Sequence, residues 1–212
     1  MTGWVGAVTR LEGNVDVAGD AWAALTWQYG ESHRRYHTLR HAEAVVRDSR
    51  DLGGTLGFHD QAVVELAAWA HDVVYNANPG EDERESAAWA RRWLGRSGVA
   101  GEYIDRVEGL ILTTIKHDAP AADHLATALL DADLAILGAD PRTYDTYALA
   151  VRQEYAKYSD EVWRAGRIAV LEGMLSRTIY RGATARARWE RAARRNITAE
   201  LTRQRGRPGG HG

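Results

Sequence analysis

The sequence predicts an all-α protein, a single helical domain of eight or nine helices. Three observations predict it. Apolar residues recur at three- and four-residue steps over most of the 212-residue chain. No stretch alternates apolar and polar residues through a β-branched run, so no strand is expected. The prolines fall between the apolar stripes, where a helix breaker belongs.

The elements follow in order. Leu39, Ala42, Val45 and Val46 mark a helix that begins near Thr38 and is closed by Gly53-Gly54. Val63, Leu66, Ala67, Ala70 and Val74 mark the next. Asn78-Pro79-Gly80 ends it and starts another, whose first turn places Glu81, Asp82 and Glu83 at the positive end of the helix dipole. Ile104, Val107, Leu110, Ile111 and Ile115 form a further stripe, followed by the break at Ala119-Pro120. Asp140 reads as an N-cap with Pro141 at the first helical position, ahead of Tyr144, Tyr147, Val151, Tyr155 and Tyr158. A looser stripe runs through Val162, Ala169, Leu171, Leu175 and Ile179, and an arginine-rich helix spans about 184–203. Trp22, Trp27, Trp69, Trp89, Trp93 and Trp163 all fall on helical segments, and most of them are expected to pack in the core or between helices. No repeat or long linker divides the chain, so residues 1–203 read as one domain. The glycine-rich basic stretch 204–212 reads as a disordered tail.

Composition narrows the function. The chain has no cysteine, which excludes a disulfide scaffold, a thiolate zinc site, an iron–sulfur cluster and a cysteine nucleophile. An apolar fraction of 45% with 26% charged residues is that of a soluble globular protein. No apolar run approaches the roughly 20 residues that span a bilayer. Met1 to Arg10 lacks the pattern of a secretory signal. The expected location is the cytoplasm, with no membrane partner. The net charge of −2 conceals ten arginines between Arg177 and Arg207 against only Glu190 and Glu200. Arginine outnumbers lysine 25 to 2 throughout, so this basic end reads first as a solvated helix face. Nucleic acid is therefore not the expected partner, although the basic helix leaves that role open, as it does self-association into a homo-oligomer.

The residues able to carry chemistry are histidines beside carboxylates. His71-Asp72 closes the apolar run Leu66-Ala67-Ala68-Trp69-Ala70, where an uncompensated charge is costly to bury. A divalent cation compensates it, since it binds neutral imidazole and ionised carboxylate together. Adjacent helical residues point about 100° apart, so both reach one ion only if it sits against the helix end. Asp131 and Asp133 precede a second apolar run, Leu134 to Leu137, and point to nearly opposite sides of a helix. At most one of them is expected to be a direct ligand, with the other orienting a histidine. A lone His-Asp pair is more often just hydrogen-bonded. The upstream histidines His37 and His41 and the downstream aspartate strengthen the metal reading.

Three segments in order carry a resemblance: Tyr36-His37-Thr38-Leu39-Arg40-His41, Ala68-Trp69-Ala70-His71-Asp72-Val73-Val74-Tyr75, and Leu130-Asp131-Ala132-Asp133-Leu134-Ala135-Ile136-Leu137-Gly138. Together they resemble the HD superfamily of metal-dependent phosphohydrolases, and within it the branch with a tyrosine–histidine motif ahead of the first ligand. The likeness continues through Thr113-Thr114-Ile115-Lys116-His117, Val151-Arg152-Gln153-Glu154-Tyr155, Gly166-Arg167 and Arg177-Thr178-Ile179-Tyr180. It covers about residues 26–201, with a motif core of about 33–180.

The resemblance implies an HD-type helical domain with one divalent ion held by His41, His71, Asp72 and Asp133. Asp131 stays as the alternative ligand or as the partner of a ligand. Such N and O donors suit Mn, Fe, Co, Ni, Zn or Mg. The implied activity is hydrolysis of a phosphorylated small molecule, a nucleotide or other phosphomonoester, by a metal-activated water. Arg35, His37, Lys116, Arg152 and Arg167 are expected to bind the substrate and its phosphate, and Glu83 and His117 to move protons. Some related hydrolases carry a glutamate within a turn of the His-Asp pair. Here Val73, Val74 and Tyr75 stand in that stretch, so Glu83 beside Ser86 is the acid expected to serve. Tyr36 and Tyr75 flank the site closely enough to line a pocket for a base or sugar. Two other classes remain: a di-iron oxygenase, which needs extra histidines such as His117 and His124, and a non-catalytic nucleotide-binding regulatory module, whose usual sign is loss of ligands.

Overall fold

The computed structural model describes residues 3–206. Among them there is no strand, and ten α-helices have eight residues or more. The chain divides after Asp133 into two compact units.

The first unit holds α1 (Gly3–Arg10), α2 (Val15–Tyr29), α3 (Leu39–Leu52), α4 (Phe58–Ala70), α5 (Asp82–Arg96), α6 (Gly101–Thr113) and α7 (His124–Asp133). Helix α4 runs through its centre and packs against α1, α3, α5, α6 and α7. Every residue from Ala62 to Ala70 is buried, which is why this helix is apolar nearly all round rather than on one face. Around it Trp4 meets Trp89 and Trp22 meets Trp69, both edge to face, at 5.5 and 5.1 Å.

Glu65 is the one charge inside α4, at 1% exposure. Arg10 of α1 and Arg50 of α3 both bond its carboxylate, Arg50 at 2.7 and 2.6 Å. Burial alone would raise the Glu65 carboxyl, but the two guanidinium groups outweigh it and hold the pKa below the ordinary range.

The expected helix ends shift for identifiable reasons. Helix α3 starts at Leu39 and is closed by Gly53, as the sequence predicts. Helix α4 stops at Ala70 rather than Val74. At its end the Trp69 carbonyl accepts from the Tyr29 hydroxyl and the Ala70 carbonyl from the Val73 amide three residues on, a tighter turn, and the Asp72 and Val73 carbonyls beyond accept from Arg34. Helix α6 ends at Thr113, before Ile115. Helix α2 opens on Asn14, whose side chain accepts from the Asp16 and Val17 amides.

The second unit begins with a 3-10 turn, Leu134–Gly138, followed by α8 (Pro141–Glu154), α9 (Asp160–Leu175), the short α10 (Ala183–Ala185), a π turn over Arg186–Glu190, and α11 (Arg191–Gly206). Asp140 caps α8 by accepting from the Arg142 and Thr143 amides, with Pro141 in the first turn as expected. Helices α8 and α9 end at Glu154 and Leu175, so Tyr155, Tyr158 and Ile179 of the expected stripes lie in turns. The helix expected from 184 is interrupted by the π turn, beside which Trp189 lies so close to Gly138 that a Cβ there would sit 2.5 Å from the Trp189 Cβ. Asn196 pins the 3-10 turn by donating to the Leu137 and Ala139 carbonyls at 2.8 and 2.9 Å. Helix α11 continues to Gly206, three residues past the expected end, and 207–212 of the expected tail lie outside the described residues. No helix among the described residues is long and apolar enough to cross a membrane.

Candidate metal centre

The end of α4 sets the site. His71 takes the C-cap position, and Asp72 follows on the turn. His41 comes from the first turn of α3, and Asp133 is the last residue of α7. The Nε2 atoms of His41 and His71 are 3.1 Å apart. Asp133 Oδ1 lies 3.2 Å from His41 Nε2 and 3.4 Å from His71 Nε2. Asp72 Oδ2 lies 3.4 and 3.1 Å from the same two nitrogens. His71 is 1% exposed and His41 6%.

Proton bookkeeping decides what this arrangement needs. His71 Nδ1 donates to the Ala68 carbonyl at 2.9 Å, which leaves the neutral ring a lone pair on Nε2. That lone pair faces another imidazole nitrogen and two carboxylate oxygens. With His41 also bare at Nε2, four acceptors would face one another, an arrangement that needs positive charge between them. Donors about 2.1 Å from one ion lie about 3.0 Å apart at right angles and about 3.4 Å apart at the tetrahedral angle. The five separations that involve a histidine nitrogen fall in that interval, while Asp72 stands outside the group of mutually close donors. His41, His71 and Asp133 are a group able to hold a metal ion.

The titration behaviour expresses the same demand. Burial lowers the pKa of His71, but Asp72 and Asp133 overcome it and raise it well above the ordinary value. His41 is raised in the same way, Asp133 and Asp72 again outweighing burial. Burial raises Asp72 and Asp133, and the surrounding imidazoles more than reverse it, holding both well below the usual carboxylate range. Protons or a metal ion can answer the charge.

No family model, curated protein or solved structure matches this chain.

Around the four donors stand several of the other residues singled out in the sequence. His117 Nε2 lies 2.9 Å from Asp133 Oδ2, so it holds the oxygen turned away from the imidazole pair. His117 adopts φ +47°, a left-handed conformation costly for a residue with a Cβ. His37 Nε2 is 4.0 Å from Asp72 Oδ2, and its ring stacks on Tyr75 at 4.1 Å. The Tyr36 ring lies 4.7 Å from that of His41. Asp133 therefore carries the oxygen that faces the histidines, while Asp131 is buried within α7.

The remaining candidates have other engagements. Glu83 accepts from the Gly80 amide at 2.6 Å, the act of a helix-start cap. Arg35 donates to the Ser32 and Arg34 carbonyls at 2.5 and 2.9 Å and is exposed. Lys116 is exposed beside His117. Arg152 and Arg167 belong to the C-terminal unit. Arg152 pairs with Asp160 at 2.6 Å and donates to the Tyr155 and Tyr158 carbonyls. Arg167, 7% exposed, holds the Glu200 carboxylate at 2.8 and 3.0 Å, and Tyr144 donates to the same carboxylate at 2.5 Å. Both guanidinium charges are balanced within their own unit.

Sequence reasoning passed over Arg34, Asp82 and the role of Ser86. Asp82 accepts from the Asn76 and Asn78 amides at 2.9 and 2.8 Å, and Ser86 Oγ bonds both the amide and the carbonyl of Val74. These contacts fix the loop after the His-Asp pair. No periodic or capping signal pointed toward Arg34, whose partners are carbonyls beyond the end of α4.

Proposed function

We propose that this chain is a metal-dependent phosphohydrolase acting on a phosphorylated small molecule, with one divalent ion held by His41, His71, Asp72 and Asp133. The observation that carries this reading is the close approach of two imidazole nitrogens and two carboxylate oxygens, all within 3.4 Å of a histidine nitrogen. Two histidines and two carboxylates leave positions for water and substrate in an octahedral shell. The ordered likeness to the HD superfamily supports the same reading.

When bound, the ion supplies a water of lowered pKa and a Lewis acid for a phosphoryl oxygen. The side chains do the rest. His117 fixes Asp133 through Oδ2 and, with 26% of its side chain exposed, exchanges protons with solvent at the edge of the site. His37, 18% exposed and stacked on Tyr75, presents Nε2 toward Asp72 and can donate to a phosphate oxygen. Lys116 and Arg35, both exposed and both in or next to the matched motifs, are assigned to offset the charge of an arriving phosphate. Glu83 is assigned to holding the Gly80 turn rather than to proton transfer.

The test is elemental analysis of the purified protein followed by phosphate release from a broad panel of phosphomonoesters and nucleotides with Mn, Co, Ni or Mg. One metal per chain and release that is abolished in His71→Ala and Asp133→Ala are expected. Silence across the whole panel with every ion would overturn the hydrolase reading. Two irons per chain would favour an oxygenase instead.

A further inference from the structure

We propose that Arg34 is a positioning residue for the metal centre, tying the segment that leads into His41 to the turn that carries His71 and Asp72. The inference rests on the metal reading above. Arg34 has a fully buried side chain in the connection between α2 and α3. One guanidinium nitrogen, Nη1, donates both to the His37 carbonyl at 2.9 Å and to the Asp72 carbonyl at 2.8 Å. The other, Nη2, donates to the Val73 carbonyl at 2.8 Å. Nε and Nη2 also reach the Glu31 carboxylate, both at 3.2 Å. The guanidinium lies over the Tyr29 and Tyr75 rings at 5.0 and 5.7 Å.

The bonds have a common target. Carbonyls at and beyond the end of α4 lack helical partners, and the end of α2 with the α2–α3 connection supplies them: Tyr29 Oη donates to Trp69 O at 3.0 Å, His33 Nε2 to Tyr75 O at 2.7 Å, and Arg34 to Asp72 O and Val73 O. Arg34 alone also grips its own side of the junction, at His37. The two donor-bearing segments are thus joined by a single rigid planar group. Lysine has no equivalent, since an ammonium offers no fixed fork. Groups that orient metal ligands from behind typically change affinity 10–100-fold when removed.

The experiment measures Co(II) affinity and the visible Co(II) spectrum of the full-length protein. Wild type, Arg34→Lys, Arg34→Met and the control Arg10→Met are compared, with melting followed by circular dichroism. Arg10→Met breaks the buried pair to Glu65, so it reports general loss of stability. The expected result is Co(II) binding weakened about 10-fold in Arg34→Lys and about 100-fold in Arg34→Met, with an altered spectrum. Arg10→Met should melt lower yet bind Co(II) like wild type. If Arg34→Met does not fold, Arg34→Lys decides. Wild-type affinity in the Arg34 variants, or an equal loss in Arg10→Met, overturns the proposal while leaving the metal centre standing. Absence of Co(II) binding in wild type overturns both.

Discussion

His117 holds a backbone conformation that its side chain disfavours, with φ at +47°. Left-handed geometry costs a residue with a Cβ about 1–2 kcal/mol. Its return is the imidazole contact to Asp133 Oδ2 at 2.9 Å. Strain of this kind marks places where the surroundings fix a side chain for use. Two substitutions separate the cost from the use. His117→Gly removes both strain and imidazole, whereas His117→Ala removes only the imidazole. His117→Gly should therefore be more stable than His117→Ala by about 1 kcal/mol in urea unfolding. Both should bind Co(II) about tenfold more weakly than wild type, as measured by titration calorimetry.

Helix α4 carries the heaviest structural duty, and Glu65 is its exposed risk. The folded carboxyl is held below its unfolded value of 4.5 because Arg50 and Arg10 outweigh burial. The stabilisation from this ionisation is complete above pH 4.5 and fades as pH falls through the lower folded value. Glu65→Gln should cost about 2 kcal/mol at pH 7, the scale of a hydrogen bond to a charged group. The gap from wild type should narrow steadily below pH 4.5, as urea midpoints across pH 3–7 will test. This helix also shows what the sequence can disclose. Its apolar character and the chemistry at its end were legible, since residues from Leu66 to Ala70 are uniformly apolar and stop at His71-Asp72. Where it ends was not, because the groups that take the carbonyls at and past its end, Tyr29 and Arg34, lie far earlier in the chain. The arginines Arg152 and Arg167 were candidates because they lie in the matched motifs, yet charge in sequence carries no record of its partner. Only the fold reveals that Asp160 and Glu200 engage them.

At the scale of the molecule, the donors bridge separate helices: His41 opens α3, His71 and Asp72 follow α4, and Asp133 ends α7. The ion proposed above would act there as a cross-link within the N-terminal unit. It would stabilise the folded state by about 2.7 kcal/mol when free metal is a hundredfold above its Kd. Chelation with EDTA should then lower the melting midpoint by about 5–10 °C, and added Mn or Co should restore it. Differential scanning calorimetry with and without chelator measures this directly. The all-α architecture was readable from periodicity and from capping residues such as Asp140-Pro141. The two N-terminal helices were harder to see, since α2 draws its buried face from Ala18, Ala21, Leu25 and Tyr29, mostly small residues that leave a faint stripe.

The chain divides at the very residue that supplies the last donor oxygen. On the metal reading, all four proposed donors are therefore synthesised before the final helices. A polypeptide still in synthesis would then already carry every group that the ion needs.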